Sequence, residues 1–132
     1  MKITGHSAES IAGQPSALTE CYYRFPQLPH YLISTLSLMT SVNRLRGSTP
    51  RYRITAEQLV TIAQPVLYLW GTHDPFGGVA TGQRIASLVP QSEFHTLTDG
   101  GHLPWLDAPE YTGRLVSSFL DRLQSLEPMN ND

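Results

Sequence analysis

A serine, an aspartate and a histidine occur in this chain in an order that nucleophilic chemistry can use. Ser7 lies in "TGHSAES", Asp74 in "LWGTHDPF" and His102 in "DGGHLPW". Gly5-His6-Ser7-Ala8-Glu9 differs by one residue from G-x-S-x-G, the strand-to-helix elbow that exposes a nucleophilic serine. A histidine can take the proton of such a hydroxyl, because its pKa lies near neutrality. A carboxylate on the other ring nitrogen fixes the tautomer and stabilises the imidazolium that forms.

Residues so far apart must be brought together by regular elements. In "PVLYLWGTHDPF", Pro65 opens a continuously apolar run from Val66 to Trp70. A continuous run predicts a strand covered on both faces, as in a parallel sheet. Gly71 ends it, and Asp74-Pro75 starts a turn. "VATGQRIASLVP" reads as a short helix weakened by Gly82, and "EFHTL" as a second strand anchored by Phe94 and Leu97. Strand, helix and strand form a βαβ unit with a right-handed crossover and parallel strands. Ligands of open parallel sheets bind beyond the carboxyl ends of the strands. Asp74 and His102 both fall there, so an aspartate can reach a histidine ring. Taken singly, Asp74 also suits a turn residue that bonds its own backbone, and His102 a loop histidine without a role.

Ser7 fits its motif poorly. Only "MKIT" precedes Gly5, too short and polar for a central strand. Glu9 puts a bulky charge where helix and strand must approach closely. Gly13 and Pro15 interrupt the helix that should follow. A compact, lidless serine esterase using Ser7, Asp74 and His102 is therefore the alternative reading: its residue order is right and its strand count is wrong.

From about residue 58 to 126 the chain resembles the α/β-hydrolases. "PVLYLWGTHDPF" looks like the strand and turn that carry the family's acid. "GGHLPWLDAPE" with the helix after it looks like the histidine loop and final helix. The resemblance implies Asp74 as triad acid and His102 as triad base, with Phe76, Leu103 and Trp105 as candidates to line a substrate pocket. It implies a partial α/β fold: a short parallel sheet with a βαβ unit, a C-terminal amphipathic helix and an N-terminal helical segment. Residues 1–57, aromatic-rich around Tyr22, Tyr23, Phe25 and Tyr31, look like a cap or lid. Residues 58–132 look like the C-terminal part of the core. On this reading the chain is a C-terminal fragment of a hydrolase of an ester or similar bond in a small molecule, inactive by itself. The family's nucleophile is serine or aspartate, so esterase, epoxide hydrolase and dehalogenase chemistry stay open. A third reading is a non-catalytic binding or assembly domain on the same scaffold.

The remaining segments are expected to be scaffold. Residues 1–29 allow short helical turns between Gly13, Pro15, Pro26 and Pro29. Leu32, Leu36, Met39, Val42 and Leu45 recur at helical spacing, with Gly47 as a C-terminal stop. Thr55 and Gln58 fit a capping box. Asp107 can cap the last helix, Pro109 sits in its first turn, and Leu115, Val116, Phe119, Leu120, Leu123 and Leu126 form a stripe for packing on the sheet. Arg44, Arg46, Arg51 and Arg53 read as solvated charges rather than an anion site. His73 and His95 carry no expected role, and a metal site with Asp74 and His102 matches no ligand spacing.

The 132 residues, 40% hydrophobic and 15% charged, suit one globular domain. A net charge of -2 gives no electrostatic reason to expect nucleic acid or a membrane as partner. No cofactor motif is found. The lone Cys21 excludes an internal disulfide, favours the cytoplasm, and is expected to be buried. A sheet of so few strands would expose an edge, open to self-association or a partner fragment.

Overall fold

The computed structural model describes residues 5–44 and 47–126. Helices α1 (Ala8–Ala12), α2 (Ser16–Arg24) and α3 (Tyr31–Val42) come first, with a 3₁₀ turn at Phe25–Gln27. Strands β1 (Asn43–Arg44) and β2 (Gly47–Ser48) pair antiparallel. A 3₁₀ turn at Pro50–Tyr52 leads to α4 (Ala56–Leu59), β3 (Val66–Gly71), α5 (Val79–Ala86) and β4 (Ser92–Leu97). The chain continues through α6 (Pro104–Asp107) and α7 (Pro109–Leu126).

The βαβ unit forms as the apolar pattern dictates. β3 and β4 are parallel, in register from Val66 opposite Ser92 to Gly71 opposite Leu97. Tyr68 and Trp70 point to one face, as period-2 alternation requires, and both rings meet Phe94 at 6.5 and 6.3 Å between centroids. Helix α5 crosses this aromatic face. Gly82 is there for space: a Cβ on it would stand 2.6 Å from the Trp70 ring and 2.8 Å from Phe94. The glycine that weakens the helix by propensity is what lets it reach the sheet.

The strand is less covered than a continuous apolar run implies. Val66 to Trp70 are all half-buried, because β3 and β4 form a two-stranded sheet among the described residues. Among the described residues the buried apolar side chains include Ala86, Val89, Leu97, Pro104 and Leu106. The stripe on α7 likewise departs from the expected core packing. Leu115, Phe119 and Leu123 are half-buried, whereas Val116, Leu120 and Leu126 are exposed. An ion pair from Arg122 to Glu93 ties this helix to β4.

The N-terminal half is more helical than its prolines suggest. Pro15 precedes α2 rather than breaking it, where its missing N–H costs nothing. Helix α3 ends at Val42, five residues short of Gly47, which lies in β2 instead. The reason is local. The amide of Thr49 donates to the Val42 carbonyl at 2.7 Å, and its hydroxyl donates to the Ser41 carbonyl at 2.9 Å. The returning hairpin thus satisfies the helix end. Leu45 and Arg46 lie outside the described residues. No described side chain of α3 is buried, and Leu32, Ile33, Leu36, Leu38 and Met39 are exposed. Cys21 is exposed as well, against expectation, because α2 packs chiefly on the adjoining 3₁₀ turn. Thr55 and Gln58 do form the capping box that opens α4.

Candidate functional site

Beyond the carboxyl ends of β3 and β4, two loops run against each other. The amide of Thr72 donates to Leu97 O at 2.9 Å, and that of His73 to Gly100 O at 2.8 Å. The approach is so close that a Cβ on Gly71 would lie 2.2 Å from the carbonyl oxygens of Gly100 and Gly101. Glycine on both loops permits this backbone contact. Trp70 Nε1 donates to Gly77 O at 2.7 Å and closes the first loop on its own strand.

Asp74 and His102 meet across these loops. Asp74 is also a turn residue: Oδ1 accepts the Phe76 amide at 2.8 Å. Its other oxygen, Oδ2, lies 2.9 Å from His102 Nδ1. Burial pushes the Asp74 carboxyl up, but the His102 hydrogen bond, the Phe76 amide, the histidine's charge and the Gly77 amide outweigh it, so its pKa falls below the ordinary value. The Asp74 side chain is 9% exposed and that of His102 45%. With Nδ1 facing the carboxylate, the ring has Nε2 left to exchange a proton with a reacting group.

Phe76 packs edge-on against His102, 4.6 Å between ring centroids. Together they form one wall of a cleft of about 390 Å³ whose other wall is Leu38, Met39 and Val42 of α3. This described lining is apolar except for His102. Leu103 and Trp105 do not line it. Leu103 turns its amide to His6, and Trp105 is exposed.

Ser7 stands in a different role. Its backbone, φ -71 and ψ 159, is ordinary extended chain, and its Oγ accepts the Ser10 amide as the N-cap of α1. A serine committed to capping on an unstrained backbone does not form the sharp elbow that presents a nucleophile. The neighbouring His6 carries more of the local structure. Its side chain is 2% exposed, with Nδ1 2.6 Å from Asp107 Oδ2 and Nε2 accepting the Leu103 amide at 3.2 Å. Asp107 ends α6 instead of capping α7, because Oδ2 also accepts the Gly101 amide at 2.8 Å. Burial raises the Asp107 pKa. The Gly101 amide, the Ser10 hydroxyl and His6 more than offset this, so it lies below the ordinary value. No sequence pattern joins residues 6 and 107, and both escaped the expected site.

The other candidates are dispersed. His73 is 3.9 Å from Asp99, and His95 lies 2.6 Å from Glu93 on its own strand. Among the described residues no three His, Cys, Asp or Glu side chains gather as metal ligands would. Arg51 sits over the Tyr52 ring, and the Arg46 position lies outside the described residues.

Comparison with known proteins identifies the fold. The chain is 29% identical over 79 residues to 2-hydroxy-6-oxononadienedioate/2-hydroxy-6-oxononatrienedioate hydrolase 2 of Pseudomonas putida, covering 60% of this chain and 28% of that protein. It is 34% identical over 70 residues to carboxylesterase YbfK of Bacillus subtilis, covering 52% and 24%. A solved α/β-hydrolase from the metagenome of sediments of the lagoon of Mar Chica, Morocco, superposes with a TM-score of 0.59 at 17% identity, over 83% of this chain and 46% of that one. No family model matches. The chain carries a partial α/β-hydrolase fold and spans about a quarter of the length of these curated relatives.

Proposed function

We propose that this chain supplies the acid and base of a hydrolase acting on an ester or similar bond of a small molecule, and that the nucleophile comes from outside residues 5–126. The observation that carries this is the contact of His102 Nδ1 with Asp74 Oδ2 beyond the ends of two parallel strands. Nε2 of His102 then accepts the proton of a serine hydroxyl as its oxygen attacks the carbonyl carbon. The imidazolium returns that proton to the leaving alkoxide, and a second cycle with water releases the acyl group. If the nucleophile is an aspartate, the same nitrogen takes the proton of the water that cleaves the intermediate.

Residues 1–57 act as the helical cap and 58–132 as the core. The cleft between α3 and Phe76 supports this division, and its apolar wall suits an uncharged part of a substrate. The complementary half of the fold would add strands to the sheet, whose outer edges are unpaired among the described residues. Among those residues no helix is long and apolar enough to cross a membrane. The cytoplasm is the compartment that the composition favours.

The test is a chimera in which residues 5–126, with His6 and α3 included, replace the corresponding stretch of the Bacillus carboxylesterase. Ester hydrolysis that vanishes in His102→Ala supports the reading. A folded chimera without activity, or one indifferent to His102→Ala, overturns it. The isolated chain is expected to resist fluorophosphonate labelling at Ser7.

A further inference from the structure

The segment Gly5–His6 touches both neighbours of the acid–base pair. Gly5 has φ +76, and a Cβ there would lie 2.1 Å from His73 O, next to Asp74, and 3.3 Å from the Gly101 Cα, next to His102. The left-handed backbone and lack of space both demand glycine. From this turn the His6 ring enters the histidine loop. It donates from Nδ1 to Asp107 and accepts the Leu103 amide at Nε2, so its two bonds select one neutral tautomer. Asp107 holds the Gly101 amide with the same oxygen. Both residues flanking His102 are therefore fastened, Leu103 by His6 directly and Gly101 through Asp107. Gln14 adds a third tie, its Nε2 donating to Leu106 O at 3.0 Å.

We propose that His6, acting through Asp107 and the Leu103 amide, is a positioning residue that holds His102 against Asp74. His102 itself is half in solvent and has Phe76 and Asp74 as its ring partners. Its loop lacks helical or strand bonding between Gly100 and Leu103. The rigidity of that loop comes from the clasp, in which both ring nitrogens of the buried His6 are bonded, although Asp107 Oδ1 stays buried without a partner among the described residues. Groups that orient a reactive side chain need not touch the substrate.

The proposal rests on reading Asp74 and His102 as the acid and base, but its readouts need no turnover. In the labelled full-length chain, long-range proton–nitrogen correlation should show His6 protonated at Nδ1, and amide exchange should show Leu103 protected. A His6 protonated at Nε2, or a Leu103 amide exchanging like an open loop, overturns the clasp even if every variant fails to fold. His6→Phe keeps the ring volume and removes both bonds. It should weaken the proton cross-relaxation between the Phe76 and His102 rings several-fold and move the Asp74 carboxyl titration up toward the ordinary value. His6→Gln keeps one donor and one acceptor and should restore both. A folded His6→Phe chain with unchanged ring contact and Asp74 titration refutes the role, as does His6→Gln behaving like His6→Phe. An inactive chimera alongside a responsive ring contact would sink the hydrolytic reading alone.

Discussion

Nδ1 of His102 lies 2.9 Å from Oδ2 of Asp74, although 28 residues separate them in sequence. An amide in place of that carboxylate presents a donor as well as an acceptor and no charge. In the carboxylesterase chimera, Asp74→Asn should lower kcat on the order of 10⁴-fold while leaving the fold intact. Steady-state kinetics on a simple ester reads this, and a loss under tenfold would deny Asp74 the acid's role.

Acid should loosen the same region. Asp74 and Asp107 have folded pKa values below their ordinary ones. A depressed carboxylate contributes stability that is present above its unfolded pKa and is lost as pH falls through the folded value. The window therefore opens near pH 4 and extends downward. Urea unfolding of the whole chain at pH 7 and pH 3 should show lower stability in acid, with a smaller difference in Asp107→Asn. Equal pH dependence in wild type and variant contradicts the assignment for that residue.

Two helical glycines should respond oppositely to the same change. Gly82→Ala drives a methyl into Trp70 and Phe94, which should cost about 1–3 kcal/mol. Gly113, inside α7, has open space where a methyl would stand, with nothing within 4 Å, so Gly113→Ala should stabilise by about 0.5–1 kcal/mol. Urea midpoints compare them directly, and a neutral Gly82→Ala would mean that α5 does not press on the aromatic face.

The two exposed aromatics beside His102 should also differ. Phe76 is 66% exposed yet walls the cleft, whereas Trp105, 52% exposed, does not. Phe76→Ala in the chimera should raise KM for an apolar ester roughly fivefold, about 1 kcal/mol. Trp105→Ala should leave KM near wild type. Reversed effects would move the substrate to the other side of the histidine loop.

The sequence made the βαβ unit readable because its signals are local: an unbroken apolar run, a glycine stop, a second strand soon after. The placement of Asp74 and His102 followed from where such strands end. The N-terminal contribution was unreadable for the opposite reason. His6 and Asp107 are 101 positions apart, and nothing about a histidine beside a serine points to a distant carboxylate. The serine drew attention through a motif, while its neighbour made the contacts. The end of α3 was misplaced because a hairpin satisfies its carbonyls earlier than the glycine would. The half-exposed stripe of α7 follows from a sheet of two described strands, since periodicity marks the apolar face of a helix but not how much covers it.

Asp74 and His102 both hang from one uninterrupted piece of chain, β3 through α6. At the level of the gene, that makes them a single cassette. An exon shuffle, fusion or split between His6 and Val66 passes on the pair intact, and in the same step parts it from His6, whose ring bonds to the histidine loop. A transplanted cassette would thus arrive with its two side chains already in contact, and its new host would have to provide the brace.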